Sequence, residues 1–205
     1  GYQGKGLDDP TAVVATAKHY AGYSETQGGR DASEADISRR KLRSYFLPPF
    51  ERAARAGAMM FMTGYQSMDG VPSTASKWLL REVLKDEWGF PGVLVTDWDN
   101  VGRLVHEQKV AATYADAATM AIRAGNDLIM TTPKFYEGAI EAVKSGQLKE
   151  SEIDEPLKRL LALKFRMGLF ENPRRPDLAR AAAEVARPDH RAAVLDAARQ
   201  SLVLL

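Results

Sequence analysis

The sequence has no cysteine and only three histidines. Disulfides, a thiolate nucleophile and thiolate-bound metals are therefore excluded. Charge of one sign is also lacking: 28 basic residues face 27 acidic ones, leaving +1. That balance supplies no field to hold nucleic acid or an anionic membrane surface. No apolar run approaches the roughly 20 residues that cross a bilayer. No metal or other cofactor is expected, and neither nucleic acid nor a membrane is an expected partner. The start, Gly1-Tyr2-Gln3-Gly4, reads as mid-chain sequence. The lack of a visible signal peptide thus leaves periplasmic, secreted and cytoplasmic locations open.

The stretch Gly92 to Trp98 organises what is present. Val93, Leu94 and Val95 follow the turn signal Phe90-Pro91-Gly92 and stop at Asp97-Trp98. A short run apolar on both faces reads as a buried parallel strand. In a β/α barrel the carboxyl ends of the strands carry the chemistry. An acid beside a large aromatic there suits a nucleophile or base next to a ring-shaped substrate. On local sequence alone, Asp97 reads equally as a cap for the next helix.

Three further segments end in the same way. Ala15 to Tyr20 closes on Lys18-His19, Ala58 to Tyr65 closes on Thr63-Gly64-Tyr65, and Asp127 to Met130 leads into Thr131. Helices are predicted between them: Pro48 to Ala56, Lys77 to Trp88, Thr113 to Ala124 and Phe135 to Lys144. A longer one runs from a capping-box pattern at Ser151 to Met167. Strands alternating with such helices argue for βαβ units and a parallel sheet. The loop Ala21 to Ala32, with Gly28, Gly29, Arg30 and Asp31, is long enough to suggest a functional role. His106 and His190 read as surface and structural residues. Pro173, Pro176 and Pro188 mark residues 171–188 as a linker. Asp189 to Arg199 reads as a helix and Ser201 to Leu205 as an apolar strand.

These residues together resemble glycoside hydrolase family 3, the retaining β-glucosidase family. The resemblance rests on Lys18-His19-Tyr20, Gly28-Gly29-Arg30-Asp31, Leu47-Pro48-Pro49-Phe50, Met62-Thr63-Gly64-Tyr65, Gly70-Val71-Pro72, Trp88-Gly89-Phe90, Val95-Thr96-Asp97-Trp98 and Leu163 to Phe170. It implies an α/β chain: the second half of a (β/α)8 TIM-type barrel over 1–170. The linker 171–188 and the first elements of an α/β sandwich domain over 189–205 would follow.

It also implies a retaining, exo-acting β-glycosidase of the β-D-glucosidase type, acting on β-linked oligosaccharides or aryl and alkyl β-glucosides. Asp97 would be the nucleophile. Lys18, His19 and Arg30 would bind sugar hydroxyls, Tyr65 would sit beside the nucleophile, and Trp98 would pack by the sugar. The acid/base glutamate and the early barrel strands would come from outside these residues, so the 205 residues alone are expected to be inactive. A whole barrel needs about 250 residues. The N-acetylhexosaminidase branch carries a Pro-Gly-His-Gly stretch after its Lys-His, where this chain has Tyr20-Ala21-Gly22-Tyr23. β-Xylosidase or arabinofuranosidase activity stays open, as does a non-catalytic sugar-binding fragment. A phosphate-binding barrel would want a Gly-rich late loop, and Met130-Thr131-Thr132-Pro133 is not one. Read residue by residue, Lys18-His19 is a strand-end ion pair, Arg30 a solvated loop charge, and Tyr65 and Trp98 core aromatics.

Overall fold

The structure is a computed structural model that describes residues 1–204. It divides into two compact units, Gly1–Gly168 and Leu169–Leu205. In chain order the strands of the described residues are β1 (Thr16–Tyr20), β2 (Glu34–Ala35), β3 (Met60–Thr63), β4 (Ser67–Met68), β5 (Val71–Pro72) and β6 (Val93–Val95). β1, β3 and β6 form one parallel sheet in that order. Met60 pairs with Thr16 on one side and with Val93 on the other. β2, β4 and β5 make a second, small sheet that the alternation pattern did not announce.

Helices α1 (Leu47–Arg55) and α2 (Trp78–Glu87) provide the two crossovers between the parallel strands. α1 carries its prolines in the first turn, where a missing N–H costs nothing. α2 is wound in the wider π form, where helical spacing predicted an ordinary α-helix. Its apolar side still faces inward, with Leu79, Leu80, Val83 and Leu84 fully buried. They pack with Tyr20, Phe61 and Phe90, also buried. Phe61 meets Tyr20 and Phe90 edge-on at ring separations of 5.5 and 4.8 Å. Each such side chain contributes about 1.5–3 kcal/mol on burial. Gly92 opens β6 where a Cβ would lie 2.3 Å from the Met59 carbonyl oxygen, so the strands can only meet there around a glycine.

Beyond β6 come α3 (Asn100–His106), α4 (Tyr114–Ala124), α5 (Phe135–Lys144) and α6 (Glu150–Arg166). The fourth strand expected over 127–130 is reduced to one parallel bridge, Val95 with Leu128. The reason is Asp127. Its carboxylate takes the Leu94 N–H at 2.8 Å and the Lys85 ammonium at 2.7 Å, replacing ladder bonds with side-chain ones. The segment nevertheless follows β6, since Thr96 N–H donates to the Leu128 carbonyl at 3.0 Å. α6 begins at Glu150, one residue before the predicted cap, because the Glu152 carboxylate accepts the Lys149 N–H at 2.9 Å. α5, α6 and Leu128 border an apolar groove of about 680 Å³ that includes Phe135, Ile140, Val143 and Ile153.

In the second unit, the stretch expected as a linker contains α7 (Leu178–Glu184), capped by the Asp177 carboxylate on the Arg180 N–H at 3.0 Å. α8 (Pro188–Gln200) matches the helix expected there. The predicted strand over 201–205 is not formed in 201–204, and Leu205 lies outside the described residues. No helix among the described residues is long and apolar enough to cross a membrane.

Lys85 and Asp127 are nearly fully buried. Burial pushes the Asp127 carboxyl up and the Lys85 ammonium down, and the contact pulls each back toward its charged form. Removing Lys85 leaves the buried carboxylate with the Leu94 N–H and the Arg159 guanidinium 4.0 Å away, without its closest charge partner. Lys85→Ala should lower unfolding stability by about 3–5 kcal/mol, measured by urea titration. A loss under about 1 kcal/mol would show that the pair does not pin the sheet.

Candidate active site

Asp97 lies two residues past β6, on the carboxyl side of the parallel sheet. Its Oδ1 accepts the Tyr65 hydroxyl at 2.9 Å and the Trp98 N–H at 2.6 Å. Its Oδ2 lies 3.2 Å from His19 Nε2. Residues near the ends of all three parallel strands thus meet on one carboxylate, which is only 15% exposed. Burial, and then the bond to Asp97, push the Tyr65 phenol above its ordinary range. The hydroxyl therefore keeps its proton and acts as a donor. Burial lowers His19 below the usual histidine value, against the opposing pull of Asp97. The ring is neutral at pH 7 and lies beside the carboxylate without bringing a charge to the site.

The surroundings fix these groups. The ring of Tyr23 stands 4.9 Å from that of His19, and its hydroxyl bonds to Asp31, so the loop after β1 folds back on the histidine. That bond pushes the Tyr23 phenol up to about 12. On the other side, α3 and the residues just after it tie down the exit of β3. Asn100 Nδ2 donates to the Gly64 carbonyl at 2.9 Å, and Gln108 Nε2 to the Tyr65 carbonyl at 2.8 Å. The Arg103 guanidinium lies over the Tyr65 ring at 4.4 Å.

Of the residues singled out from sequence, the structure brings Asp97, His19, Tyr65 and the Trp98 backbone together. The Trp98 side chain is 59% exposed at the rim, so it is no core aromatic. Lys18 and Arg30 are exposed, and neither side chain makes a hydrogen bond or ion pair among the described residues. The strand-end pair read locally for Lys18-His19 is therefore not made: the partner of His19 is Asp97. His106, read as a surface residue, pairs with Asp99 at 3.0 Å. Asp99 starts α3 in the left-handed region, and its carboxylate occupies the space that a Cβ on Gly102 would need. Sequence reasoning missed Tyr23, Asn100, Arg103 and Gln108. Asp99, Arg103 and His106 read from sequence as a loop, where the structure forms α3; the four-residue spacing of Asp99, Arg103 and Glu107 is the local signal that fits a helix there. No group of three or more potential metal ligands occurs among the described residues.

The family model for the glycosyl hydrolase family 3 N-terminal domain matches residues 1–163. The chain belongs to glycosyl hydrolase family 3. Among curated proteins, a β-xylosidase of Formosa agariphila is 36% identical over the whole chain, which covers 30% of that protein. A periplasmic β-glucosidase of Salmonella typhimurium is 33% identical over 99% of this chain and 27% of its own length. Among solved structures, an intestinal-bacterial β-glucosidase involved in saponin metabolism is 58% identical, with a TM-score of 0.87 over 93% of this chain and 25% of that one. This family 3 chain thus spans under a third of the length of these relatives. Family 3 enzymes are glycoside hydrolases, and the mixed α/β order seen here is that of part of their N-terminal barrel domain.

His19 couples this site to pH. Its folded value lies below the unfolded value of about 6.5, so the unfolded chain binds the proton first as pH falls. Stability from this residue is present above about pH 6.5 and is lost as pH drops through the lowered value. Urea unfolding of His19→Gln, compared with the unsubstituted protein between about pH 7.5 and 5, should show a shallower loss of stability. Identical slopes would mean that the folded state does not depress this histidine.

Proposed function

We propose that the whole protein is a retaining, exo-acting β-glycosidase of the β-D-glucosidase type and that Asp97 is its nucleophile. One observation carries the reading: a single, mostly buried carboxylate at the carboxyl edge of the parallel sheet, with one oxygen holding two donors. The other oxygen faces a neutral imidazole, which leaves it available to attack. A nucleophilic carboxylate has to be aimed, and the two donors on one oxygen fix its orientation.

In the proposed cycle, Asp97 Oδ2 attacks the anomeric carbon. The bond to the leaving oxygen breaks, and an acid protonates that oxygen. The glycosyl ester on Asp97 is then opened by water, with the same acid now acting as base, and the anomeric configuration is retained. Such a pair of carboxylates stands about 5–5.5 Å apart. By family resemblance the acid is a glutamate from a second domain, outside these 205 residues. His19, Lys18 and Arg30 are proposed to hold sugar hydroxyls; the two cations are exposed and have donors to spare. Trp98 offers an aromatic face to the apolar side of the sugar. The 58% identity to the intestinal-bacterial β-glucosidase supports the glucoside reading, while the curated β-xylosidase and β-glucosidase, at 36% and 33%, match the chain about equally.

The test uses the longest protein the gene encodes, assayed on aryl β-glucosides, β-xylosides and α-arabinofuranosides. The glucoside should give the highest kcat/KM. Asp97→Ala should lose at least about 10³-fold in kcat, since no other group can form the covalent intermediate. Activity that survives in Asp97→Ala would reject the nucleophile assignment.

A further inference from the structure

We propose that Arg103 is a positioning residue for the nucleophile, acting through Tyr65. This rests on the glycosidase reading for its kinetic consequence, while its geometric half stands apart from that reading. Tyr65 is the one side-chain hydroxyl that bonds to Asp97 among the described residues. A tyrosine held only at its hydroxyl can swing about two torsions. Here the guanidinium of Arg103 caps the ring at 4.4 Å, and Gln108 holds the backbone of the same residue. Arg103 in turn cannot leave easily. It is anchored one turn later by the Glu107 carboxylate. Its Nε is buried and has no hydrogen-bond acceptor among the described residues. A guanidinium with an unused buried donor is unusual. Its remaining favourable contact on that side is the electron-rich face of the ring.

The arrangement has a functional logic. A cation on the ring face draws electron density from the phenol and strengthens its O–H as a donor to Asp97 Oδ1. It sits on the ring, not on the carboxylate, so it supports the nucleophile without tying up an oxygen in an ion pair. The other charged or titratable groups around Tyr65 and Asp97 are His19 and Lys18 from β1 and Asp31 and Tyr23 from the following loop. Arg103 is the cation that α3 contributes on the Tyr65 side.

The test is a double-mutant cycle in the longest protein the gene encodes, with Arg103→Met, Arg103→Lys, Tyr65→Phe and the pairwise combination. Loss of this partly buried cation–ring contact should lower kcat about 5- to 30-fold with little change in KM. Arg103→Lys keeps a charge and should recover part of the loss. In the Tyr65→Phe background, Arg103→Met should cost less than about twofold, because the hydroxyl it orients is gone. Equal losses in both backgrounds, or a raised KM with kcat unchanged, would overturn the proposal. A crystal structure of Arg103→Met reads the same point without turnover. The Tyr65 hydroxyl should leave hydrogen-bond distance of Asp97, and an unmoved tyrosine would overturn the proposal even if the protein proved inactive. A protein that shows the displacement but hydrolyses no glycoside would retain the positioning and lose the glycosidase reading.

Discussion

The parallel pairing of β1, β3 and β6 is the constraint on which the site depends. Because Met60 is in register with both Thr16 and Val93, the strands finish at one edge. The polar residues at their ends, His19, Tyr65 and Asp97, are then brought together at the Asp97 carboxylate. An antiparallel arrangement of the same three segments would scatter them to opposite edges. The register in turn depends on an apolar cross-section with no slack: Phe61 between Tyr20 and Phe90, and Gly92 pressed against the Met59 carbonyl.

The electrostatics of the site are restrained. The Asp97 carboxylate accepts from a neutral phenol and a backbone N–H, and the imidazole beside it is neutral at pH 7. A full ion pair would hold the carboxylate more tightly but would also blunt it as a nucleophile. The buried ion pair in this unit is placed elsewhere, at Lys85 and Asp127. There it joins α2 to the segment beside β6 and replaces part of a ladder. Charge is thus used for cohesion away from the carboxylate, while hydrogen bonds orient it.

Much of this was legible in the sequence because apolar runs ending in polar residues have a direct physical cause. Val93 to Val95 had to be buried on both faces, and Asp97 had to emerge at its end. The helices at 47–55, 114–124 and 135–144 likewise followed from periodicity and their glycine or proline boundaries. The fourth strand was misread because Asp127 turns inward to Lys85, a contact between residues far apart in sequence. α7 was missed because prolines near both ends made its short span look like a linker. Ser201 to Leu204 has the composition of a strand, but a strand forms only against a partner. Within the site, the strand-borne residues could be found from the motif. Those that steady them, Tyr23, Asn100, Arg103 and Gln108, are spread over a loop, a short helix and the residues just after it, with no motif to mark them as a group. Only three-dimensional packing reveals them.

The central claim is that Asp97 bears the sugar in a covalent intermediate. The most direct measurement treats the longest protein the gene encodes with an activated 2-deoxy-2-fluoro-β-glucoside, digests it and weighs the peptides. The account expects one fluoro-sugar mass added to the peptide containing Asp97, with fragmentation placing it on that residue, and no addition in Asp97→Ala. Label on another carboxylate, or an active enzyme that takes up no label, would contradict it.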